Sequence, residues 1–352
     1  MAGLAKLERD FRLFGQFNGK ASPLYGRLSH AIADDPELMA LLHAAPEQQQ
    51  IPVLLFAAVH DLLLRGEGEE LAAFYPNLSP SAADGDPFPA FRRVAIANDA
   101  ALRATIATKN TQTNEVGRCA YFLPVFGIVA DEVGPLAHLD VGASAGLNLY
   151  WPSYTYLYKN GPTVGEGSTV ELPCSTRGEP PIPTTMPTLA HAIGLDMSPI
   201  DVRDDDAVRW LEACVWPDQA GRFERLVAAI AIARKSPPDL RQGDAVTNVA
   251  ALVHEVSAFG HPVVTTSWIL NYLPENGQRA FVAELDEVGS RRDLSWVVAE
   301  APAQTPGLPI PGDEEITVIS LVTWRTGQRV VRRLGIAHPH GSWLNWTPTG
   351  TN

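Results

Sequence analysis

The chain has 352 residues, 40 Asp plus Glu against 27 Lys plus Arg, a formal net charge of −13 and 45% apolar residues. A length of this order suggests two domains of roughly 150 residues each. The acidic balance argues against a nucleic-acid surface built on general phosphate neutralisation. Three dispersed cysteines, Cys119, Cys174 and Cys214, offer neither a disulfide framework nor a paired-thiol metal site, so no metal is expected.

Met1 to Gly15 carries five charged residues and no apolar run, which does not read as a secretory signal. The longest apolar stretches, such as Ile51 to Val59, fall far short of the roughly 20 residues that span a bilayer. A cytoplasmic protein without a membrane partner is the expectation, and a homo-oligomer is compatible with the sequence.

Segments Leu4 to Phe17, Pro23 to Asp34, Pro36 to Ala45, Ile51 to Arg65 and Pro89 to Thr108 place apolar residues at helical spacing. Ser22 before Pro23 and Asp35 before Pro36 mark helix starts. Glycines at Gly66 to Gly68 and a loop over Asn77 to Pro89 punctuate this region. Residues 1–130 therefore read as an all-helical domain that could act as a lid over a substrate.

The pattern changes near Ala137. Strands are predicted at His138 to Val141, Ala192 to Leu195, Leu240 to Gln242, Pro262 to Thr266, Ser295 to Ala299, Thr317 to Arg325 and Gln328 to Ala337. Helices are predicted at Asp205 to Trp216, Ala220 to Lys235, Val246 to Ala258 and Pro274 to Ser290. Such alternation implies an α/β domain over 131–352 with a mainly parallel sheet. Thr326-Gly327 between the last two strands fits a hairpin, hence an antiparallel edge. Five prolines in Leu172 to Pro187 suggest an irregular insertion, placed at about 151–190. All eight tryptophans lie beyond residue 150.

The segment Asp140-Val141-Gly142-Ala143-Ser144-Ala145-Gly146-Leu147-Asn148 has two readings. In the first, a strand ends in an acid and turns through Gly142 and Gly146 into a helix, letting backbone amides approach a ligand. In the second, Gly142 to Gly146 is a G-x-S-x-G nucleophile elbow, with Ser144, Asp244 and His338 or His340 as a triad. The absence of predicted strands before Ala137 and the unused Asp140 favour the first. A tight turn without a ligand is the plain structural alternative.

The first reading resembles class I S-adenosylmethionine-dependent methyltransferases, whose opening motif is acid, x, Gly, three residues, Gly. Asp196, closing the second strand in Gly194 to Pro199, resembles the ribose-binding acid of that class, and Asp244-Ala245 resembles the adenine-binding position. Val263 to Leu273 resembles its fourth strand and the helix after it, with Ser267 near the cofactor and Tyr272 a catalytic candidate. The spacing departs from the pattern: Asp140 and Asp196 lie 56 positions apart where about twenty is usual. If the insertion reorders the strands, Asp201 is the fallback.

This resemblance implies a Rossmann-like methyltransferase-type sheet with an antiparallel C-terminal hairpin, preceded by the helical domain. It implies S-adenosylmethionine as cofactor, held by Asp140, Gly142, Ala143, Ser144, Gly146, Asn148, Asp196, Asp244, Ala245 and Ser267. The substrate would be a small or medium-sized molecule. Gln112-Thr113-Asn114-Glu115, Arg118, the Gly142 to Asn148 loop, Trp216-Pro217 and Gly243 to Ala245 together also resemble an uncharacterised bacterial family known only as a domain of unknown function.

Gln112, Asn114, Glu115 and Arg118 are substrate-binding candidates, rich in hydrogen-bonding groups between the helical region and the first strand. Their structural alternative is a capped helix start. Tyr150, Trp151, Tyr154, Tyr156 and Tyr158 could wall an acceptor pocket, Tyr154 being the residue placed in the site; sheet packing is the alternative. His338 and His340 are candidate general bases, since imidazole titrates near neutrality; a surface turn is the alternative. His60, inside an apolar helical stretch, is expected to be a satisfied core or interdomain residue. Besides the methyltransferase, a serine hydrolase using Ser144 and a non-catalytic nucleotide-binding protein remain open.

Overall fold

The computed structural model describes residues 2–79, 81–304 and 316–349. In chain order it opens with α1 (Ala2–Asn18), α2 (Pro23–Ile32), α3 (Pro36–Met39), α4 (Pro52–Leu64), α5 (Glu69–Ala72), α6 (Phe88–Ala97), α7 (Asp99–Thr108) and α8 (Cys119–Val133). Then come β1 (Leu136–Val141), β2 (Thr155–Lys159), β3 (Thr163–Val164), β4 (Glu171–Arg177), β5 (Leu189–Asp196), α9 (Asp205–Ala213), α10 (Ala220–Lys235), β6 (Leu240–Gln242) and α11 (Ala245–Val256). It closes with β7 (His261–Ser267), α12 (Glu275–Gly289), β8 (Leu294–Glu300), β9 (Thr317–Arg325), β10 (Gln328–Ala337) and β11 (Trp343–Trp346).

Two units emerge: Met1–Thr113 with Arg203–Val227, and Asn114–Val202 with Ala228–Asn352. The expected boundary near 130 falls inside α8, in the second unit, whereas α9 belongs to the first. In the first unit Ser22 caps α2 by accepting from the Tyr25 amide, and Asp35 caps α3 through the Glu37 and Leu38 amides, each ahead of a proline at the first helical position. Helix α4 is apolar around its whole girth and buries eleven of its thirteen residues, so it forms the unit's centre. Phe56 on α4 stacks on Tyr25 at 4.2 Å and meets Phe11, Phe14 and Phe91. His60 lies there too, as expected: fully buried, with Nδ1 on the Ala213 carbonyl and Nε2 on Asn77.

The second unit is a mixed α/β body built on one eleven-stranded sheet of order β3-β2-β4-β11-β10-β9-β8-β7-β1-β5-β6. Strands β6, β5, β1, β7 and β8 run parallel, and β9, β10 and β11 follow antiparallel, which includes the expected hairpin at Thr326-Gly327. The insertion is more regular than its prolines suggest. Leu172 to Arg177 lies in β4, which pairs with β2 on one side and with β11 on the other. Residues 147–188 thus extend the far edge of the sheet and leave β5 beside β1, so the long spacing does not reorder the strands around Asp140.

Helix α8 is the hub of this unit. It touches β1, β8 and β4; β4 and β1 stand six places apart in the strand order. At about 4.8 Å per strand that is roughly 29 Å, while a helix with side chains is about 10 Å across. The sheet must therefore curl around α8, which explains why ten of that helix's fifteen residues are buried. Pro124 inside α8 has no N–H for the Ala120 carbonyl one turn back. The hydroxyl of Tyr158 from β2 donates to that carbonyl at 2.7 Å and fills the gap.

Candidate functional site

The site begins where β1 ends. Asp140 is 2% exposed and paired in register with Thr265 of β7, whose hydroxyl donates to Asp140 Oδ1 at 2.7 Å. Thr265 has spent its only proton, so the 2.8 Å contact from His138 Nε2 to Thr265 Oγ1 requires the Nε2–H tautomer. Burial pushes His138 down to about 3, which keeps it neutral, and its Nδ1 makes no hydrogen bond. Burial also pushes Asp140 up to about 7; Thr265 and Arg118 restrain it, and Asp196 adds to the rise. Asp140 Oδ2 is buried without a partner.

The loop after β1 departs from the expected turn, whose backbone amides would approach a ligand ahead of a helix. The Gly142 and Ala143 amides donate to the Leu195 carbonyl, and the Ser144 amide donates to Asp196 Oδ2 at 2.7 Å. Gly146 donates to Ala143, and Leu147 to Asn114 Oδ1. Those backbone donors are already used inside the protein. No α-helix follows: residues Leu147–Ser153 form a 3-10 segment interrupted at Tyr150, with Pro152 inside it, and so provide no extended helix dipole. Gly142, by contrast, is solvent-exposed at φ +80, and a Cβ there would sit 2.0 Å from Ile269 Cγ2. Ser144 adopts φ +54 with its buried hydroxyl unpartnered.

Asp196 ends β5 and accepts from the Ser144 and Ser198 amides, one on each oxygen. A carboxylate offers about four acceptor positions, so capacity remains. Asp201 lies exposed five residues on. Asp244 follows β6, half-buried, and caps α11 through the Thr247 amide, with Ala245 as the first helical residue. Ser267 ends β7 with its hydroxyl against Tyr121 at 3.1 Å. Tyr272 is 79% exposed in the turn that follows.

Residues predicted from distant parts of the sequence meet here. Arg118 Nη1 donates to the Ser267 carbonyl and Nε to the Pro339 carbonyl. Glu115 is buried, with Oε1 on the Gly117 amide and Oε2 4.0 Å from His340 Nδ1. The His338 imidazole accepts from the His340 amide, and the two rings lie 5.4 Å apart. Backbones touch at this junction: a Cβ on Gly341, at φ +74, would lie 1.9 Å from the Gly117 carbonyl oxygen. Gln112 belongs to the first unit, and Asn114, Glu115 and Arg118 belong to the second.

Two expectations change. Tyr154 is fully buried and its hydroxyl donates to the Leu147 carbonyl, as Tyr156 does to Trp151 and Tyr158 to Ala120; these tyrosines brace the 3-10 segment and α8 and offer no free wall. Asn148 is buried against Cys119, whose thiol approaches Asn148 Oδ1 at 3.5 Å. One residue was missed. Glu300 ends β8 fully buried, accepts from the Ile269 and Leu270 amides, and is pushed up to about 8 by burial. Its signal was the same one that marks Asp140, an acid closing an apolar strand.

The architecture thus defines a mixed α/β protein in which Asp140, Asp196, Asp244 and Glu300 lie at or just beyond the C-terminal ends of β1, β5, β6 and β8. The chain belongs to a family described as an uncharacterised protein conserved in bacteria (DUF2332), whose model matches residues 8–346. Neither the comparison with curated proteins nor that with solved structures returned a match. Among the described residues no helix is long and apolar enough to cross a membrane.

Proposed function

We propose that the second unit binds S-adenosylmethionine at the C-terminal ends of β1, β5 and β6 and transfers its methyl group to a small or medium-sized acceptor. The observation that carries this reading is the trio Asp140, Asp196 and Asp244 at the ends of three adjacent parallel strands. The run β6-β5-β1-β7-β8 has the doubly wound order 3-2-1-4-5, in which ligands sit outside the carboxyl ends where the order reverses, here between β1 and β7. That strand order supports a Rossmann-like sheet of the methyltransferase type.

The donor set fits such a cofactor in part. Asp140 Oδ2 and Ser144 Oγ lack partners, Asp196 retains acceptor capacity for hydroxyls, and exposed Gly142 leaves room for close approach. With the loop amides occupied, recognition in this reading falls to the carboxylates. When bound, S-adenosylmethionine supplies an electrophilic methyl on a sulfonium, so the chain must position an acceptor and remove at most one proton. His340, whose Nδ1 stands 4.0 Å from the buried Glu115 carboxylate, would be the proton acceptor, and exposed Tyr272 would border the methyl acceptor.

Calorimetry with S-adenosylmethionine and with its demethylated product tests the reading. Binding is expected, and at least tenfold weaker in Gly142→Val and Asp196→Ala. Absence of binding by both ligands at millimolar concentration, or unchanged affinity in both variants, overturns it. Binding without turnover across a broad acceptor panel would instead favour the non-catalytic nucleotide-binding protein. One observation favours the hydrolase: Ser144 at positive φ within G-x-S-x-G. Its hydroxyl makes no hydrogen bond to a histidine, and Asp244 is engaged in capping α11. Labelling by a fluorophosphonate that disappears in Ser144→Ala would support the hydrolase.

A further inference from the structure

The first unit carries a cleft of about 250 Å³ between α4, α7 and α9. Its floor is Trp210, only 4% exposed, whose indole N–H is fixed on the Asn110 carbonyl at 2.8 Å. Three cations and two carboxylates line it: Arg65, Lys109 and Arg209 with Asp61 and Asp206. On a chain with net charge −13 this is a local reversal of sign.

The charges are not equivalent. Asp61 is buried and takes both guanidiniums, Arg65 at 2.5 Å and Arg209 at 2.9 Å, which fixes the two forks side by side. Arg209 also reaches Asp206 at the exposed rim. Lys109 makes no ion pair among the described residues; its ammonium stands 6.0 Å from the Trp210 ring centroid. The positive field is visible on Asp206, whose carboxyl Arg209 holds below its ordinary range, with Arg65 and Lys109 acting in the same direction. Asp61 therefore preorganises two guanidiniums, and Lys109 adds a third cation that forms no ion pair among the described residues.

We propose that this cleft is a binding site for a small molecule carrying a phosphate group, the phosphate seated among Lys109, Arg65 and Arg209 and an apolar or aromatic portion against Trp210. The three cations against Asp61 and Asp206 leave the lining a net charge of +1, and a phosphate, with three acceptor oxygens, can take a donor from each of Lys109, Arg65 and Arg209 at once where a carboxylate has only two. The site lies in the first unit and is independent of the methyl-transfer reading.

Calorimetric titration of the full chain at low ionic strength tests it, with inorganic phosphate, phenyl phosphate and benzoate as probes. Saturable binding is expected in the order phenyl phosphate, then phosphate, then benzoate. Lys109→Ala should weaken phenyl phosphate at least tenfold, while Lys109→Arg stays close to wild type. The Trp210 indole N–H resonance, assigned from its loss in Trp210→Phe, should shift on titration. Lack of saturable binding at millimolar phenyl phosphate overturns the proposal. So does equal affinity in wild type and Lys109→Ala, which would place any phosphate elsewhere on the chain. Benzoate binding as tightly as phenyl phosphate overturns the assignment to a phosphate. Circular dichroism of the two Lys109 variants controls for folding.

Discussion

Asp61 and Asp140 are equally buried, each at 2% exposure, and the two units treat them in opposite ways. In the helical unit Asp61 is clamped by two arginines, so its charge is matched where it lies. In the α/β unit Asp140 receives one threonine hydroxyl, its second oxygen is left without a partner, and burial lifts it to about 7. The difference shows what burial alone does to a carboxylate: an ion pair turns it into a strut, whereas a neutral partner leaves it poised near neutrality. Poised groups are those a reaction can use, and the α/β unit holds two, Asp140 and Glu300.

The largest expected effect comes from linkage. Asp140 and Glu300 have folded values near 7 and 8, above the values of an unfolded chain. The folded state then holds more protons than the unfolded one, and stability present at low pH is lost as pH rises through those values. His138 works in the opposite direction: burial holds it at about 3, so its contribution grows between about pH 3 and 6.5 and is constant above. The loss is therefore cleanest between pH 6.5 and 8, where the second unit should give up roughly 2.5 kcal/mol. His60, pushed down to about 4 by burial, leaves the first unit flat in that window. Urea unfolding with peptide-resolved pulse labelling separates the units. The double variant Asp140→Asn/Glu300→Gln should abolish the slope; a slope unchanged in that variant would place its origin in other groups.

Next is Arg209→Met, which takes one of two guanidiniums from buried Asp61 while Arg65 remains. The cost should be about 2 kcal/mol in the first unit, below the 3–5 expected when a buried charge loses every partner. A change within experimental error would show that Arg65 alone suffices. Tyr158→Phe should cost about 1–2 kcal/mol in the second unit, because the Ala120 carbonyl orphaned by Pro124 then has no donor. Thermal unfolding of the variant against wild type measures it, and a neutral outcome would mean that water reaches the carbonyl.

Much of this was legible in the sequence. Ser22 and Asp35 ahead of prolines located helix starts, because capping is a local hydrogen bond. Strands β1 and β5 to β10 could be read from short apolar runs between turn residues, a pattern that burial on both faces imposes on β1, β7, β8 and β9. Strands β2 to β4 and β11 were hidden. β4 pairs with β11 across a sequence gap that no periodicity records, and Tyr154, Tyr156 and Tyr158 looked like a pocket wall when each hydroxyl was committed to a backbone carbonyl. In the candidate site the acids at strand ends and the glycine were readable. The missing α-helix after the loop was signalled only by Pro152, and the meeting of Glu115 with His340 depends on folding that brings residues 225 positions apart together.

The smallest expected effect concerns Ser144, which combines both kinds of partner within one residue. Its amide is paired, donating to Asp196, while its hydroxyl is buried with no hydrogen bond, and its φ of +54 is one that a side chain disfavours. Ser144→Gly removes the unpaired hydroxyl and the conformational strain but keeps the amide. Glycine also adds freedom to the unfolded chain, which offsets part of the gain. The net should be a stabilisation of up to about 1 kcal/mol, read as a higher unfolding midpoint of the second unit. A destabilisation of that size would mean that the hydroxyl is bound in the folded protein, and Ser144 would then join Asp61 among the paired groups, leaving Asp140 and Glu300 as the poised ones.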